Sequence, residues 1–318
     1  MTDYLLGKEK SMKKRFSVIV AAYNREDYIR ETIDSVYNQT FKDFEFIIVD
    51  DGSTDRTWEI IQSYGNGIKS LRQNNQGSEA TFRKGASLAN GEYLAFLDSD
   101  DLLMPHALSV YNRIIEKCNT PPVIMGAMKR FMDGDDVGAD VANQWGIEVL
   151  KYRDYLSKEI GMGLAQSIIV MKKTAFDEAN TMIGRNGIYL YNNDYNLMLQ
   201  AGTHGPCLIV KRPVTVAYRQ HKKQNSLNVE KMGKGLLVLM NMTRNGQCFG
   251  GKKRMFEKYA YLGGPIVEWT AKALEVHRPG IAFALLIHGW PMVAAAVIRK
   301  IWFRFFRTAP IVLPVDGM

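Results

Sequence analysis

The chain has 318 residues, of which 46% are hydrophobic and 23% are charged, and its formal net charge is +8. This length and composition exclude a broadly disordered chain and are enough for one large domain, or for a main domain with an appendage. The positive charge favours an anionic partner, either a nucleotide diphosphate or a membrane surface, whereas the basic residues are too scattered to form the continuous stripe that nucleic acid requires.

Apolar runs alternate with helical patterns from residue 16 onwards. The predicted strands are Phe16–Ala22, Phe44–Val49, Ile68–Leu71, Glu92–Leu97 and Val123–Met128. The helices predicted between them are Asp27–Asn38, Thr57–Ser63, Ser78–Ala89 and Pro105–Lys117. This order, with its short connections, predicts an α/β fold with a mostly parallel sheet flanked by helices. Ligands of such sheets bind beyond the carboxyl ends of the strands, where Asp50–Asp51 and Asp98–Asp101 fall.

The pattern loosens in the second half of the chain. Asp133–Asp140 is an acidic loop, Asp194–Gln200 is a predicted helix, and Ile168–Met171 and Val214–Tyr218 are predicted strands. The composition then changes to methionine, glycine and basic residues, followed by a strongly apolar tail. We therefore expect an N-terminal extension (1–15), a catalytic domain (16–226) and a C-terminal helical region (227–318).

The run Leu97–Asp101 carries the carboxylates of Asp98, Asp100 and Asp101 at the end of a predicted strand. Carboxylates this close repel one another unless a cation lies between them, and Mg²⁺ or Mn²⁺ binds through one or two carboxylates together with substrate phosphates. The run therefore indicates a metal–diphosphate site at the edge of the sheet. The alternative is an acidic turn, with Asp101 capping the helix predicted to begin at Pro105.

Five motifs follow one another along the predicted sheet. They are Val20–Asn24, Ser35–Thr40, Val49–Asp55, Ala89–Tyr93 and Leu97–Asp101. The series resembles glycosyltransferase family 2, whose members have a GT-A fold and transfer sugars from nucleotide diphosphates. The resemblance is specific from about residue 16 to residue 105 and fainter to about residue 226. It implies a donor half at about 16–130 and an acceptor half at about 131–226.

The resemblance also implies which residues bind the donor, a UDP-sugar. They are Ala22, Tyr23, Asn24, Asp51, Arg83, Asp98 and Ser99. Asp51 would accept the N3–H of uracil and Tyr23 would stack on the base, and the structural alternatives are a turn aspartate and a core tyrosine. Arg83 lies in Thr81–Gly85, where the family usually has an Arg-Asn pair, and would replace that polar contact.

For the metal, the resemblance implies Mn²⁺ or Mg²⁺ as cofactor. Asp100 would be a direct ligand, and Asp98 would lie nearer the ribose or a metal-bound water. The late segment Tyr218–His221 offers His221 as a third ligand, or Arg219 as a contact to the diphosphate. A solvated or core histidine is an equally supported interpretation of His221.

Inverting transfer also needs a base that takes the proton of the acceptor hydroxyl. The family's acidic pair at the start of a helix matches Asn192–Leu197, so the resemblance assigns Asp194, with Asn193 where an acid is usual. The alternative is that Asp194 only caps this helix. The Gln-x-x-Arg-Trp motif of processive synthases does not occur in the sequence, which implies a hexosyltransferase that adds one sugar.

The tail combines an apolar run, Ile281–Ile298, with the basic and aromatic stretch Arg299–Arg307. Gly289 and Pro291 should break or kink the first of these. The pattern favours peripheral attachment to an anionic membrane surface, and the alternatives are a packing or homo-oligomer interface and a membrane span. Such attachment would suit a saccharide acceptor linked to polyprenyl diphosphate, as in bacterial surface-polysaccharide synthesis.

The location and the remaining alternatives follow from the rest of the sequence. The three cysteines have no metal-type spacing, and Phe16–Ala22 is too short for a secretory signal, so we expect a cytoplasmic protein on the inner face of the cell membrane. A catalytically degenerate membrane-bound scaffold is one alternative function, which the intact candidate aspartates oppose. A nucleotidyltransferase is another, which would need a glycine-rich basic loop after the first strand.

Overall fold

The computed structural model describes residues 13–137, 146–157, 164–183, 193–224, 227–303 and 311–313. Several predicted features lie outside these ranges. They are residues 1–12 of the extension, the end of the loop Asp133–Asp140, Asn192, and Arg304–Arg307 of the basic stretch.

The described residues form strands and helices that alternate through the first half of the chain. The strands are β1 (Phe16–Ala22), β2 (Phe44–Asp50), β3 (Lys69–Arg72), β4 (Tyr93–Asp98), β5 (Leu102–Leu103), β6 (Val123–Met125), β7 (Met128–Phe131), β8 (Ile147–Tyr152), β9 (Ile169–Lys172), β10 (Cys207–Arg212), β11 (Val216–Arg219) and β12 (Ile311–Leu313). The helices are α1 (Ile29–Tyr37), α2 (Thr57–Ser63), α3 (Ser78–Leu88), α4 (Ala107–Lys117), α5 (Lys173–Ile183), α6 (Asn193–Ala201), α7 (Val229–Arg244), α8 (Met255–Glu275) and α9 (Pro279–Phe303).

The main sheet has the strand order β12-β8-β10-β6-β9-β4-β1-β2-β3. Strands β3, β2, β1 and β4 are parallel, which confirms the α/β fold predicted from the first half of the sequence. Beyond β4 the directions are mixed, because β9 runs antiparallel to both β4 and β6. A second sheet of three strands, β5-β11-β7, lies beside the main one.

Burial explains why β1 and β4 are easy to recognise in the sequence. Both strands are almost wholly buried, and a parallel strand covered on both faces needs a continuous apolar run. Helix α3 covers this sheet closely, since a Cβ placed on Gly85 would lie 2.4 Å from Ile19. The four parallel strands and α3 therefore form one closely packed unit.

Two predicted boundaries were wrong. The run Val123–Met128 is two strands, and the break falls at Gly126, where a Cβ would lie 2.3 Å from the Tyr111 hydroxyl. The chain turns there, so that β7 leaves the main sheet and pairs with β11. Helix α4 begins at Ala107, two residues later than predicted, and Asp101 does not cap it.

The C-terminal region packs three helices together. A Cβ on Gly263 of α8 would lie 2.2 Å from the Met292 carbonyl of α9, so these two helices cross in close contact. The apolar run was predicted to break or kink, and it does not break, because Gly289 and Pro291 both lie inside the continuous helix α9. After α9, strand β12 pairs with β8 and extends the main sheet.

Candidate active site

Three sequence motifs meet at one edge of the sheet. Ala22 pairs with Asp50 across β1 and β2, and Ala21 pairs with Asp98 across β1 and β4. The carboxyl ends of these strands are therefore side by side, which is where parallel sheets bind ligands.

The loop after β1 is tied to the loop after β2. The backbone N–H of Asn24 donates to Ser53 Oγ at 3.0 Å, and Asn24 Oδ1 accepts from the N–H of Thr54 at 2.8 Å. Asn24 has a φ of 53°, a left-handed conformation that asparagine adopts more readily than most residues. Next to it, Tyr23 is 43% exposed, so its ring is available for stacking.

The two aspartates after β2 have different partners. Asp50 is fully buried, accepts from the N–H and hydroxyl of Ser53, and pairs with Arg72 at 3.1 Å, as a turn aspartate does. Asp51 accepts three hydrogen bonds, from Gln73 Nε2 and from the N–H groups of Gln76 and Gly77, at 2.8–2.9 Å. Because a carboxylate offers about four lone-pair positions, Asp51 keeps one for a ligand N–H.

Asp100 lies between two cationic or ionisable side chains. Its Oδ2 accepts from Arg25 Nε at 3.1 Å and lies 2.9 Å from His221 Nε2. Burial opposes ionisation of Asp100, but the hydrogen bond from His221 and the charge of Arg25 outweigh it and hold the pKa below its usual value. In the part of the chain that the structure describes, Oδ1 of Asp100 accepts no hydrogen bond, so this oxygen is open to a ligand.

Ser167 connects the other two carboxylates. Its hydroxyl lies 2.5 Å from Asp101 Oδ2 and 3.3 Å from Asp98 Oδ2, and it accepts from the N–H of Asp98. Ser167 reaches this place because β9 runs antiparallel to β4, which puts the start of β9 beside the end of β4. Burial and the nearby charges of Asp100 and Asp194 raise the pKa of Asp98 to about 7.

Arg219 holds the acidic turn in place. Its Nε donates to the Asp100 carbonyl at 2.9 Å, while its other two nitrogens pair with Glu31 and Asp133. Its backbone N–H donates to Asp101 Oδ1 at 2.9 Å. With 3% of the side chain exposed and all three guanidinium nitrogens bonded, Arg219 holds the acidic turn, and its contact to the diphosphate stays a prediction.

Asp194 stands in the first turn of α6. Its Oδ1 accepts from the N–H of Tyr195 at 2.8 Å, and the residue is partly exposed. Burial of the carboxyl, with a smaller contribution from the charge of Glu268, raises its pKa to about 7. The charge of Asp194 also raises the pKa of Asp98, so the two carboxylates lie near enough to interact.

Asp98 and Asp100 together could hold a divalent cation. No group of three or more His, Cys, Asp or Glu side chains is arranged for metal binding within the described ranges. However, Mg²⁺ and Mn²⁺ commonly bind through one or two carboxylates and complete their shell with water and substrate phosphates. Asp98 and the open Oδ1 of Asp100 match that smaller requirement, whereas His221 is in contact with Asp100 and packs on Tyr28 at a ring distance of 4.4 Å.

The remaining predicted donor residues differ in their connection to this site. The Ala22 carbonyl accepts a hydrogen bond from the N–H of Asp51. Ser99 lies between Asp98 and Asp100 in the chain and is buried. Arg83 lies apart on α3, where its Nε is buried and finds no hydrogen-bond partner among the described residues. The structure thus links Ala22 to the cluster and does not connect Arg83 to it.

Sequence reasoning missed two residues of the cluster, Arg25 and Ser167. Arg25 directly follows Asn24, so its position in the loop was a usable signal for a charge near the strand ends. No local signal pointed to Ser167, because its partners lie 66 and 69 residues earlier in the chain.

Comparison with known proteins shows that most of this site lies in a region that matches a known family. Residues 17–178 match the family model described as glycosyl transferase family 2. An uncharacterised glycosyltransferase of Nostoc sp. is 40% identical over 138 residues, which are 42% of this chain and 42% of the relative. The glycosyltransferase GlyG of Streptococcus pneumoniae is 28% identical over 188 residues, which are 55% of this chain and 62% of GlyG. The chain therefore spans less than two thirds of the length of either relative.

Solved structures agree on the fold. TarS of S. aureus (residues 1–349), in complex with UDP-GlcNAc, superposes with a TM-score of 0.56 at 17% identity and covers 95% of this chain and 97% of its own. The mannosyltransferase PcManGT of Pyrobaculum calidifontis, in complex with GDP-Man and Mn²⁺, superposes with a TM-score of 0.51 at 17% identity, covering 92% and 88%. At this identity the likeness is one of fold, and it confirms the predicted GT-A architecture.

Proposed function

The chain belongs to glycosyl transferase family 2, and we propose that it moves one sugar from a UDP-sugar to a hydroxyl of a saccharide acceptor with inversion. The observation that carries this proposal is that Asp98 and Asp100 stand at the strand ends, near enough to Asp194 on α6 for its charge to raise the pKa of Asp98. Asp194 would stand on the acceptor side, and Asp98 and Asp100 would stand on the donor side. A single displacement needs these two separate groups, since the base and the leaving group act on opposite faces of the anomeric carbon.

The donor nucleotide would bind across the loops after β1 and β2. Tyr23 supplies an exposed ring, and Asp51 supplies one remaining lone pair for the N3–H of uracil. Structural neighbours carry UDP-GlcNAc in one case and GDP-Man in another, so the base must be tested directly. The loop that holds Asn24 against Ser53 fixes the spacing between the two donor contacts.

Asp98 and Asp100 would hold the divalent cation, Mn²⁺ or Mg²⁺. When bound there, the cation supplies Lewis-acid neutralisation of the diphosphate charge. Arg25 and His221 keep Asp100 ionised, and Ser167 keeps Asp98 in position. A structural neighbour that contains Mn²⁺ supports this assignment.

The acceptor hydroxyl would be activated by Asp194. With a pKa of about 7, this carboxylate is ionised in a large fraction of molecules at neutral pH and is still basic enough to accept a proton. As the proton moves to Asp194, the acceptor oxygen forms its bond to the anomeric carbon and the bond between that carbon and the diphosphate oxygen breaks. The nucleotide diphosphate leaves with that electron pair.

We also place this reaction at a membrane. Among the described helices, α9 alone has the length and hydropathy to cross a bilayer, and a third of its most apolar window is buried in the protein. This feature supports attachment to an anionic membrane surface on the cytoplasmic side, with a lipid-linked acceptor such as a polyprenyl diphosphate saccharide. Synthesis of a bacterial surface polysaccharide would use such an acceptor.

The donor site can be tested by thermal unfolding with UDP, GDP, CDP and dTDP, each with and without Mn²⁺. A nucleotide present at a hundredfold excess over its Kd stabilises the folded state by about 3 kcal/mol. We expect stabilisation by UDP that requires Mn²⁺, and its loss in Asp100→Ala. Asp177→Asn, an exposed carboxylate on α5 paired with Lys173, is the matched control and should respond like the wild type.

Two outcomes would contradict the proposal. Stabilisation by GDP in place of UDP would reject the uridine assignment while leaving the transferase class intact. No stabilisation by any nucleotide would favour the alternative of a catalytically degenerate scaffold.

A further inference from the structure

The side chain of Arg25 connects the two parts of the proposed donor site. Its Nη1 donates to the carbonyls of Tyr23 and Asn24, at 3.3 and 3.0 Å, and its Nε donates to Asp100 Oδ2 at 3.1 Å. Tyr23 belongs to the proposed base site, and Asp100 belongs to the proposed metal site. Because the phosphates of a nucleotide lie between its base and the cation that they bind, the diphosphate of a bound donor would pass this guanidinium.

The backbone of Arg25 is held from both sides. Its N–H donates to Thr57 Oγ1 at 2.7 Å, and its carbonyl accepts from the N–H groups of Tyr28 and Ile29, at 3.0 and 2.9 Å, where α1 begins. Only 12% of the side chain is exposed. A guanidinium fixed in this way loses little conformational entropy when a ligand binds, because it is already ordered in the folded protein.

One nitrogen of this guanidinium is free. In the described part of the chain Nη2 makes no hydrogen bond, whereas Nε and Nη1 make three between them. The planar guanidinium presents Nε and Nη2 along one edge, so Nη2 lies beside the hydrogen bond from Nε to Asp100. Arg219, which also bonds to residue 100, has all three of its nitrogens occupied. Nη2 of Arg25 is therefore available to an anion next to Asp100.

His221 shows that Arg25 can keep its bond to Asp100 when a cation binds. Nδ1 of His221 accepts from the N–H of Lys223 at 3.2 Å, and a backbone N–H can only donate, so the ring proton lies on Nε2. Nε2 then donates to Asp100 Oδ2 at 2.9 Å, the same oxygen that accepts from Arg25. Both donors thus occupy Oδ2 and leave Oδ1 for the cation.

We propose that Arg25 binds the diphosphate of the donor through Nη2 while its Nε stays on Asp100. This proposal rests on the proposed transferase function and adds a specificity residue to it. The guanidinium selects nucleotide diphosphates over nucleosides, because the charge-assisted hydrogen bond forms only when a phosphate oxygen is present. Its positive charge also offsets the negative charge that builds up on the diphosphate as the bond to the sugar breaks.

Equilibrium binding of UDP and of uridine to the full chain, both with Mn²⁺, tests the proposal. In Arg25→Gln we expect the Kd for UDP to rise by at least about tenfold, the effect of one hydrogen bond between charged groups, with the Kd for uridine unchanged. Arg56→Gln is the matched control, because Arg56 is 76% exposed and pairs with Glu26 on the same loop as Arg25. Both of its Kd values should equal those of the wild type.

Binding of Mn²⁺ without nucleotide separates this role from support of the metal site. The fraction of free Mn²⁺ can be read from its electron paramagnetic resonance signal. Arg25→Gln removes a positive charge beside Asp100, so its affinity for Mn²⁺ should be equal to that of the wild type or higher. Weaker binding of Mn²⁺ alone would mean that Arg25 only holds Asp100 in place, and it would overturn the proposal.

The binding of the two nucleotides gives three further results that would overturn it. An equal loss for UDP and uridine in Arg25→Gln would mean that Arg25 only supports the loop that carries Tyr23. An unchanged Kd for UDP would mean that the diphosphate does not touch Arg25, while the transferase proposal stands because UDP still binds. If the wild type binds no nucleotide at all with Mn²⁺, the transferase proposal and this one fail together.

Discussion

Replacing Asp194 by asparagine should make the protein more stable and inactive at the same time. The side chain is held among protein atoms that raise the pKa of its carboxyl to about 7, whereas an unfolded chain has a value of about 3.9. Three pH units at 1.36 kcal/mol each give an upper limit of about 4 kcal/mol for the cost of ionised Asp194 at pH 8. Because the residue is partly exposed to solvent, we expect about half of this, or about 2 kcal/mol, to appear as a gain in Asp194→Asn.

The sign of the pH dependence follows from proton binding. Between pH 4 and pH 7 the unfolded chain has lost the proton that folded Asp194 keeps, so stability falls as the pH rises through this window and levels off above it. Asparagine has no proton to lose. The advantage of Asp194→Asn should therefore be largest at pH 8 and shrink to less than about 1 kcal/mol at pH 5.

Urea unfolding at pH 5 and pH 8 without divalent metal measures this difference. Asp177→Asn serves as the control, since that carboxylate is exposed and should give no gain at either pH. In separate assays with Mn²⁺ present, transfer by Asp194→Asn should fall by a factor of about 10² to 10⁴ with UDP binding unchanged. If Asp194 only capped α6, asparagine would replace it equally well, because both are good capping residues. Equal stability at the two pH values, together with retained transfer, would refute the assignment.

Three further outcomes are expected. Wild-type transfer should lose about tenfold in rate per pH unit below pH 7, as Asp194 becomes protonated, and a pH profile that stays flat down to pH 5 would contradict this. Gly263→Val should cost about 3 kcal/mol in thermal unfolding because a Cβ there meets the backbone of α9, whereas Gly264→Ala, which has open space, should cost nothing. Arg219→Gln should cost about 3 kcal/mol and weaken metal-dependent UDP binding, whereas Arg212→Gln, in an exposed ion pair, should change stability by less than about 1 kcal/mol.

The donor half could be predicted because its signals are local. Strands β1, β2 and β4 are mostly apolar, and carboxylates stand at or near their carboxyl ends. The sequence did not reveal β8 and β10, which lie in the expected acceptor half, or β12, which lies in the C-terminal region. Their pairings join residues far apart in the chain, so no periodicity within a short window reports them.

The same limit applies to the site and to the tail. Asp51, Asp98 and Asp100 could be found from motifs. The ion pairs of Arg219 could not, because its partners Glu31 and Asp133 lie on distant segments of the chain. Helix α9 shows tertiary packing overriding local propensity. Gly289 and Pro291 are poor helix residues, yet the close contact with α8 keeps them inside one continuous helix.

The placement of Asp194 suggests how acceptor specificity can vary on this fold without disturbing the donor chemistry. Asp98 and Asp101 are held by β4 and by Ser167, which lies just before β9, and the turn that carries Asp100 is held by Arg219 on β11. The proposed base, Asp194, in contrast, stands at the start of a helix that contacts α8 through Tyr195 and Tyr261. Changes in the C-terminal helices can therefore shift Asp194 relative to an acceptor while Asp98 and Asp100 stay in place.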